Sequence, residues 1–247
     1  MLAGGLGRRL EGVATGPKWL IPVNDACPAS GHLQAFESVG VRRVLVVVPP
    51  AADAIEAFVA PWQRRLRLDL VANPHSADRN NWYSLLLGLD EWSRGARDDV
   101  VVVNSDLYAS AAWFSDLMGA ASTCGQPAAL AVDITRGRSD EAMKVGLDDT
   151  GALVTAIGKV GVDVPGGEYV GLAWFSPTSA LELRAVLETF VSEPKRADHW
   201  YEHGIQCHLE TGGAYACVAV PSSEWVEIDD GADLEAARAL HADGGHR

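Results

Sequence analysis

The stretch MLAGGLGRRLEGVATGPKWLIP, residues 1–22, decides how this chain is read. It sets three glycines in four positions, Gly4, Gly5 and Gly7, ahead of Arg8 and Arg9, with Pro17 and Lys18 after a short spacer. Glycine has no Cβ, so the backbone can turn back on itself and come close to a ligand. Successive N–H groups in such a turn form a concave anion seat, strongest where a helix begins. Arg9 can fork two donors onto phosphate oxygens, and Lys18 can add a compact positive charge. The turn and its cations suit a triphosphate, although a glycine run by itself is equally an ordinary surface turn. It is neither a dinucleotide fingerprint nor a Walker loop. Gly5-Leu6-Gly7 is followed by Arg8, Arg9 and Leu10, and no Gly-Lys-Ser/Thr comes after.

Outward from that stretch, residues 43–48 (RVLVVV) and 99–103 (DVVVV) are continuous apolar, β-branched runs, as expected of strands covered on both faces. Residues 68–72 and 128–133 read as further strands. Helices are expected at 32–39, at 51–66 with a kink at Pro61, from Asn80-Asn81 onward, and at 110–121. Strand–helix alternation of this kind predicts a doubly wound, mainly parallel sheet. The second part differs. Segments 143–147, 153–157 and 169–175 are strand candidates separated by turn residues, which predicts a small antiparallel addition beside the main sheet. Helices at 177–191 and 196–211, strands at 214–220 and 225–228, and a helix at 232–241 complete the reading. The expectation is one α/β domain over 1–247, with 1–133 as its nucleotide-binding half and 134–247 as its acceptor-binding half.

At 247 residues and 48% apolar, the chain can bury a sizeable core. A net charge of -13 argues against nucleic-acid or anionic-membrane partners. No apolar run reaches the length of a membrane span. Cys27, Cys124, Cys207 and Cys217 show no Cys-x-x-Cys spacing, so reduced thiols and a cytoplasmic setting are expected. An acidic protein that handles phosphates needs local cations and a divalent metal.

Asp106 stands just past the carboxyl end of an apolar strand, the edge where open α/β sheets bind ligands. A carboxylate there suits Mg²⁺ with a triphosphate, or else caps the helix that follows. Asp229 and Asp230 hold a similar place before the last helix, and one of them is expected to cap it. Trp200, Tyr201 and Glu202 offer aromatic faces and a carboxylate to an ammonium group, with Asp198 as a further candidate. The plain alternative is a helix whose aromatics pack and whose acids face water. His199 and His203 lack the His-Glu-x-x-His order, so no zinc site is read.

The opening resembles that of the nucleotidyltransferases that make sugar-nucleotides and CDP-alcohols. The family pattern stands here as Leu2-Ala3-Gly4-Gly5-Leu6-Gly7-Arg8-Arg9-Leu10, then Pro17-Lys18-Trp19-Leu20-Ile21-Pro22-Val23. The resemblance implies the Rossmann-like fold of nucleotide-diphospho-sugar transferases, with Arg9 and Lys18 catalytic. It implies nucleotide contacts from Leu2, Ala3, Gly4, Gly5, Gly7, Arg8 and Ser105. It also implies that Asp106 and the aspartate of Glu227-Ile228-Asp229 hold Mg²⁺. In such enzymes a buried apolar strand leads into the glycine turn. Only Met1 and Leu2 precede it here, which implies a start further upstream or a strand cut to a stub.

Asn80-Asn81-Trp82-Tyr83-Ser84-Leu85 is similar to a run in the phosphocholine and phosphonate cytidylyltransferases, as are Met143-Lys144-Val145, Ile157-Gly158-Lys159 and Glu168-Tyr169-Val170-Gly171. In that branch Asn80, Asn81 and Ser84 lie by the nucleobase, whose edge amide and hydroxyl groups can match. Lys144, Lys159, Glu168 and Tyr169 are then expected on the acceptor side. The expected activity is transfer of CMP from CTP to a small phosphate or phosphonate such as phosphocholine or 2-aminoethylphosphonate, with a homodimer as a further expectation. The rivals are a sugar-1-phosphate enzyme using UTP or dTTP, and a nucleotide-binding module without turnover.

Overall fold

The computed structural model describes residues 1–4, 10, 16–95, 97–135 and 141–244. The first half alternates as α1 (Pro28–Ser38), β1 (Val44–Val48), α2 (Asp53–Val59), β2 (Leu68–Ala72), α3 (Asn81–Ser93), β3 (Val100–Val103), β4 (Leu107–Ala109), α4 (Ala111–Ser122) and β5 (Ala128–Asp133). The second half runs β6 (Lys144–Leu147), β7 (Val154–Gly158), β8 (Gly167–Phe175), α5 (Pro177–Phe190), α6 (Tyr201–Glu210), β9 (Tyr215–Val220), β10 (Trp225–Glu227) and α7 (Gly231–Gly244). The helix expected over 51–66 stops before Pro61 and resumes as a 3-10 turn at Trp62–Arg64, because proline supplies no N–H to continue the ladder.

β1 pairs with β2 in parallel, and Leu2 bridges in parallel to Val47 of β1 and to Asn104 just past β3. β3 pairs with β8, β8 with β5, and β5 with β9. The order across the sheet is therefore β2, β1, the Leu2 bridge, β3, β8, β5, β9. Every strand but β8 runs the same way. This corrects one expectation: β8 is not beside the main sheet but inside it, antiparallel between two parallel strands. Its burial explains the position, since eight of its nine residues are buried and such a strand needs cover on both faces. Only the β6–β7 hairpin hangs at the margin, joined to the start of β8 through Lys144 and Val145.

Residues 1–3 are tied on both sides: Ala3 N–H donates to Val47 O (2.9 Å) and Leu2 N–H to Val103 O (3.1 Å). The Met1 amino group donates to Leu45 O at 2.9 Å, and burial lowers its pKa to about 5. A cavity of about 840 Å³ adjoins this bridge, lined by Met1, Leu45 and Val101 and by Phe36, Leu89 and Met118 from helices on the two faces.

β4 was not foreseen. It pairs antiparallel with β10, matching Leu107 to Glu227 and Ala109 to Trp225. Ile228 N–H extends that ladder to Asp106 O at 2.9 Å. This short ribbon carries the end of the chain to the carboxyl edge of β3.

Candidate active site

Because β10 runs against β4, residues just past β10 lie beside residues just before β4. Asp106 and Asp229 meet there, and Lys18 stands between them. Its Nζ is 3.3 Å from Asp106 Oδ2 and also bonds Asp229 Oδ1. Lys18 opens a 3-10 turn whose next residue, Trp19, is fully buried and donates its indole N–H to His32 Nδ1 at 3.0 Å. That anchor fixes the direction in which Lys18 leaves the backbone.

The third carboxylate is Glu227. Residues 227 and 229 are two apart along an extended segment, so their side chains share a face. One oxygen each from Asp106, Glu227 and Asp229 lies within 4.8 Å of the others. Sequence reasoning quoted Glu227 and gave it no role, although the Glu-x-Asp alternation was the available signal. Burial disfavours a charged Lys18, but Asp106 and Asp229 outweigh it and raise its pKa, so it stays an ammonium. Asp106 is pushed up by burial, Lys18 opposing and Asp229 adding to the rise. Glu227 is exposed over the residue as a whole, yet its carboxyl is turned inward; burial of that carboxyl, then repulsion from Asp106 and Asp229, push it up to about 8. The repulsion is the firmer cause, given three oxygens so close together. Asp106 Oδ1 is buried with no hydrogen-bond partner among the described residues. A hard, oxygen-only donor set with one unsatisfied oxygen fits Mg²⁺. Asp230 instead caps α7, accepting from the N–H groups of Ala232 and Asp233.

Of the residues expected to meet a nucleotide, Leu2 and Ala3 are buried at the bridge, and a Cβ placed on Gly4 would lie 3.7 Å from Ser84 Oγ. Ser84 is buried and accepts from Asn73 Nδ2 at 2.9 Å. Ser105 is buried next to Asp106. Gly5, Gly7, Arg8 and Arg9 lie outside the described residues. Asn80 caps α3 by accepting from Asn81 N–H, and its Nδ2 donates to Asp198 O at 3.0 Å. Asn81 Oδ1 accepts the N–H of Tyr201 at 2.9 Å. Both amides therefore reach the segment from Asp198 to Tyr201, a partner that the sequence does not reveal.

Of the residues expected to meet an acceptor, the Lys159 ammonium lies 4.6 Å over the Trp200 ring and 3.1 Å from Glu141, while Lys144 donates to Lys159 O at 2.9 Å. Glu168 faces Lys144 across the β6–β8 ladder. Asp198 is exposed. Tyr201 is fully buried and its hydroxyl lies 2.7 Å from that of Tyr169, also buried. Burial raises both phenols well above the usual value, so they remain protonated. Of the aromatic pair, only Trp200 presents a ring to the surface, 41% exposed. Tyr201 OH also donates to Asn104 Oδ1 (3.2 Å), whose backbone N–H donates to Gly171 O (2.9 Å). Gly171 sits at φ +87° where the β5–β8 register shifts, and a Cβ there would strike the Asn104 side chain. Asn104 was not singled out from the sequence. Glu202 is 4% exposed, and burial, then Asp106, push it up to about 7 against the pull of Lys159. Its Oε2 has no hydrogen-bond partner among the described residues.

The chain is similar in structure to the inositol-1-phosphate CTP transferase from T. maritima, with a TM-score of 0.78 and 20% identity over 99% of this chain and 95% of that one. It is similar to the CTP:phosphocholine cytidylyltransferase from Streptococcus pneumoniae, with a TM-score of 0.72 and 18% identity over 97% and 96%. The nucleoside-diphosphate-sugar pyrophosphorylase from Vibrio cholerae RC9 gives a TM-score of 0.76 and 15% identity over 96% and 98%. At such identities these likenesses speak to the fold. No curated protein matches by sequence. The family model described as the MobA-like NTP transferase domain matches residues 1–207. On that match, the chain belongs to the MobA-like NTP transferase domain family of nucleotidyltransferases.

Proposed function

We propose that the protein is a Mg²⁺-dependent cytidylyltransferase that moves CMP from CTP to a small ammonium-bearing phosphate or phosphonate, of the phosphocholine or 2-aminoethylphosphonate kind. The observation that carries this reading is the meeting of Lys18, Asp106, Glu227 and Asp229 at the carboxyl edge of β3, with Glu202 near enough for Asp106 to act on its carboxyl. The base lies near Ala3, Gly4 and Ser84, and the triphosphate over residues 5–9. An oxygen of the acceptor phosphate attacks the α-phosphorus; the α–β bridging bond breaks and pyrophosphate leaves. That oxygen is already anionic near neutral pH, so the step needs no strong general base. Lys18, held charged by its carboxylates, stabilises the charge that gathers on the α-phosphate. Asp106 and Asp229, with Glu227, would hold a Mg²⁺ ion, which would supply charge neutralisation to the triphosphate. Two of the structurally similar enzymes use CTP, which supports the choice of nucleotide.

A second reading has its own support. Lys159 already occupies the Trp200 face, and a Glu202 that keeps its proton to about pH 7 suits a hydroxyl-rich acceptor. That describes a sugar-1-phosphate enzyme using UTP or dTTP. A pyrophosphate-release screen of four NTPs against phosphocholine, 2-aminoethylphosphonate and glucose-1-phosphate separates the two. Turnover with CTP and an ammonium-bearing acceptor is expected. Turnover with UTP or dTTP and glucose-1-phosphate alone would replace this reading with the second.

A further inference from the structure

We infer that Asn81 is a positioning residue for the acceptor: it sets the start of α6, and with it Trp200 and Glu202, against the nucleotide-binding half. This rests on the proposed acceptor site. Helix α6 begins with Trp200 at its N-cap position, and no side-chain cap hydrogen bond comes from Trp200 itself. The first N–H groups of any helix have no partner within it. Here the N–H of Tyr201 is satisfied from another helix, by Asn81 Oδ1 at 2.9 Å. Three further bonds join the same two segments. Asn80 N–H donates to Ala197 O (2.9 Å), Asn80 Nδ2 to Asp198 O (3.0 Å) and Trp82 Nε1 to Ala197 O (3.2 Å).

Of these contacts, the one from Asn81 reaches α6 itself. It bonds the backbone of the residue between Trp200, which bears the exposed ring, and Glu202, whose Oε2 is unsatisfied. The Tyr201 phenol is fixed at the other end by Tyr169 and Asn104, on elements flanking Asp106. Tyr201 is thus clamped at its backbone and at its side chain. Asn81 decides the pitch of that clamp, and a small rotation of α6 about it moves Glu202 relative to Asp106. The same residue run that meets the nucleobase therefore also orients the acceptor.

The test compares Asn81→Ala and Asn81→Asp with the unaltered protein, using pyrophosphate release at saturating CTP and then at saturating acceptor. Asn81→Ala is expected to raise the acceptor KM about five- to tenfold, the size of one buried amide hydrogen bond, and to move the CTP KM less than threefold. Asn81→Asp keeps an oxygen for the Tyr201 N–H and is expected to recover most of the acceptor KM. A rise in the CTP KM alone would overturn the assignment, because Asn81 would then act on the base. A lower Tm with both KM values unchanged would also overturn it, as that is a merely structural role. If the unaltered protein turns over no pair of substrates, the proposed function fails by itself. The tether is then decided by amide hydrogen exchange without ligand. Faster exchange at Tyr201 in Asn81→Ala, restored in Asn81→Asp, supports it, and unchanged exchange refutes it.

Discussion

Lys18→Met is the most informative single change. The substitution keeps the length of the side chain and removes the charge that Asp106 and Asp229 share. At 3.3 Å and an effective dielectric of about 20, the Asp106 contact alone amounts to about 5 kcal/mol of attraction. Desolvation of Lys18, whose side chain is only 12% exposed, cancels much of it. Glu227, raised to about 8, already holds a proton near neutral pH and so adds little to the repulsion left behind. A net loss of about 2 kcal/mol is the result, or roughly 4–8 °C in Tm for a chain of this size. Mg²⁺ at a hundred times its Kd should return about 2.7 kcal/mol. It should raise the Tm of the variant more than that of the unaltered protein, where Lys18 competes for the same oxygens. Turnover should fall about 10²–10³-fold, the scale set by removing one preorganised charge from a transition state. Scanning calorimetry with and without Mg²⁺, alongside pyrophosphate release, reads all three. Turnover within tenfold of the original, or a Tm indifferent to both the mutation and Mg²⁺, would refute the reasoning.

Asp106→Asn should abolish the Mg²⁺-induced rise in Tm, whereas Glu227→Gln should weaken Mg²⁺ about ten- to hundredfold, as read by calorimetric titration. Glu202 is raised from the ordinary glutamate value of 4.5 to about 7. The folded protein therefore holds a proton that the unfolded chain has lost between those pH values, and stability falls as pH rises through that window, by at most about 3 kcal/mol. Glu202→Gln should reduce the slope of Tm against pH there, leaving the part due to Glu227 and Asp106, and an unchanged slope would assign all of it to those groups. Fusing four β-branched residues ahead of Met1 turns its buried amino group into an amide and continues the ladder of residues 1–3 into the adjoining cavity. A rise in Tm of about 5 °C is expected, and no rise would show that the cavity does not take a strand.

Local pattern was enough to find most elements, because burial on two faces leaves a continuous apolar run and a helix leaves its 3.6-residue period. β1, β3, β5 and α3 were legible for that reason, and Lys18 was visible as a cation just after Pro17. The aspartates at strand ends were also visible, since a carboxylate past an apolar run stands out. What the sequence could not reveal depends on which segments pair. β4 has three residues and no period to detect, yet its ladder with β10 is what brings Asp229 and Glu227 to Asp106. β8 reads as one more apolar strand; only pairing with both β3 and β5 puts it, reversed, inside the sheet. Asn81 looked like a cap or a base contact, and its bond to Tyr201 exists only once α3 and α6 pack together. The sequence alone determined which residues could do chemistry. Long-range pairing, which leaves no periodic trace in either partner, decided which of them meet.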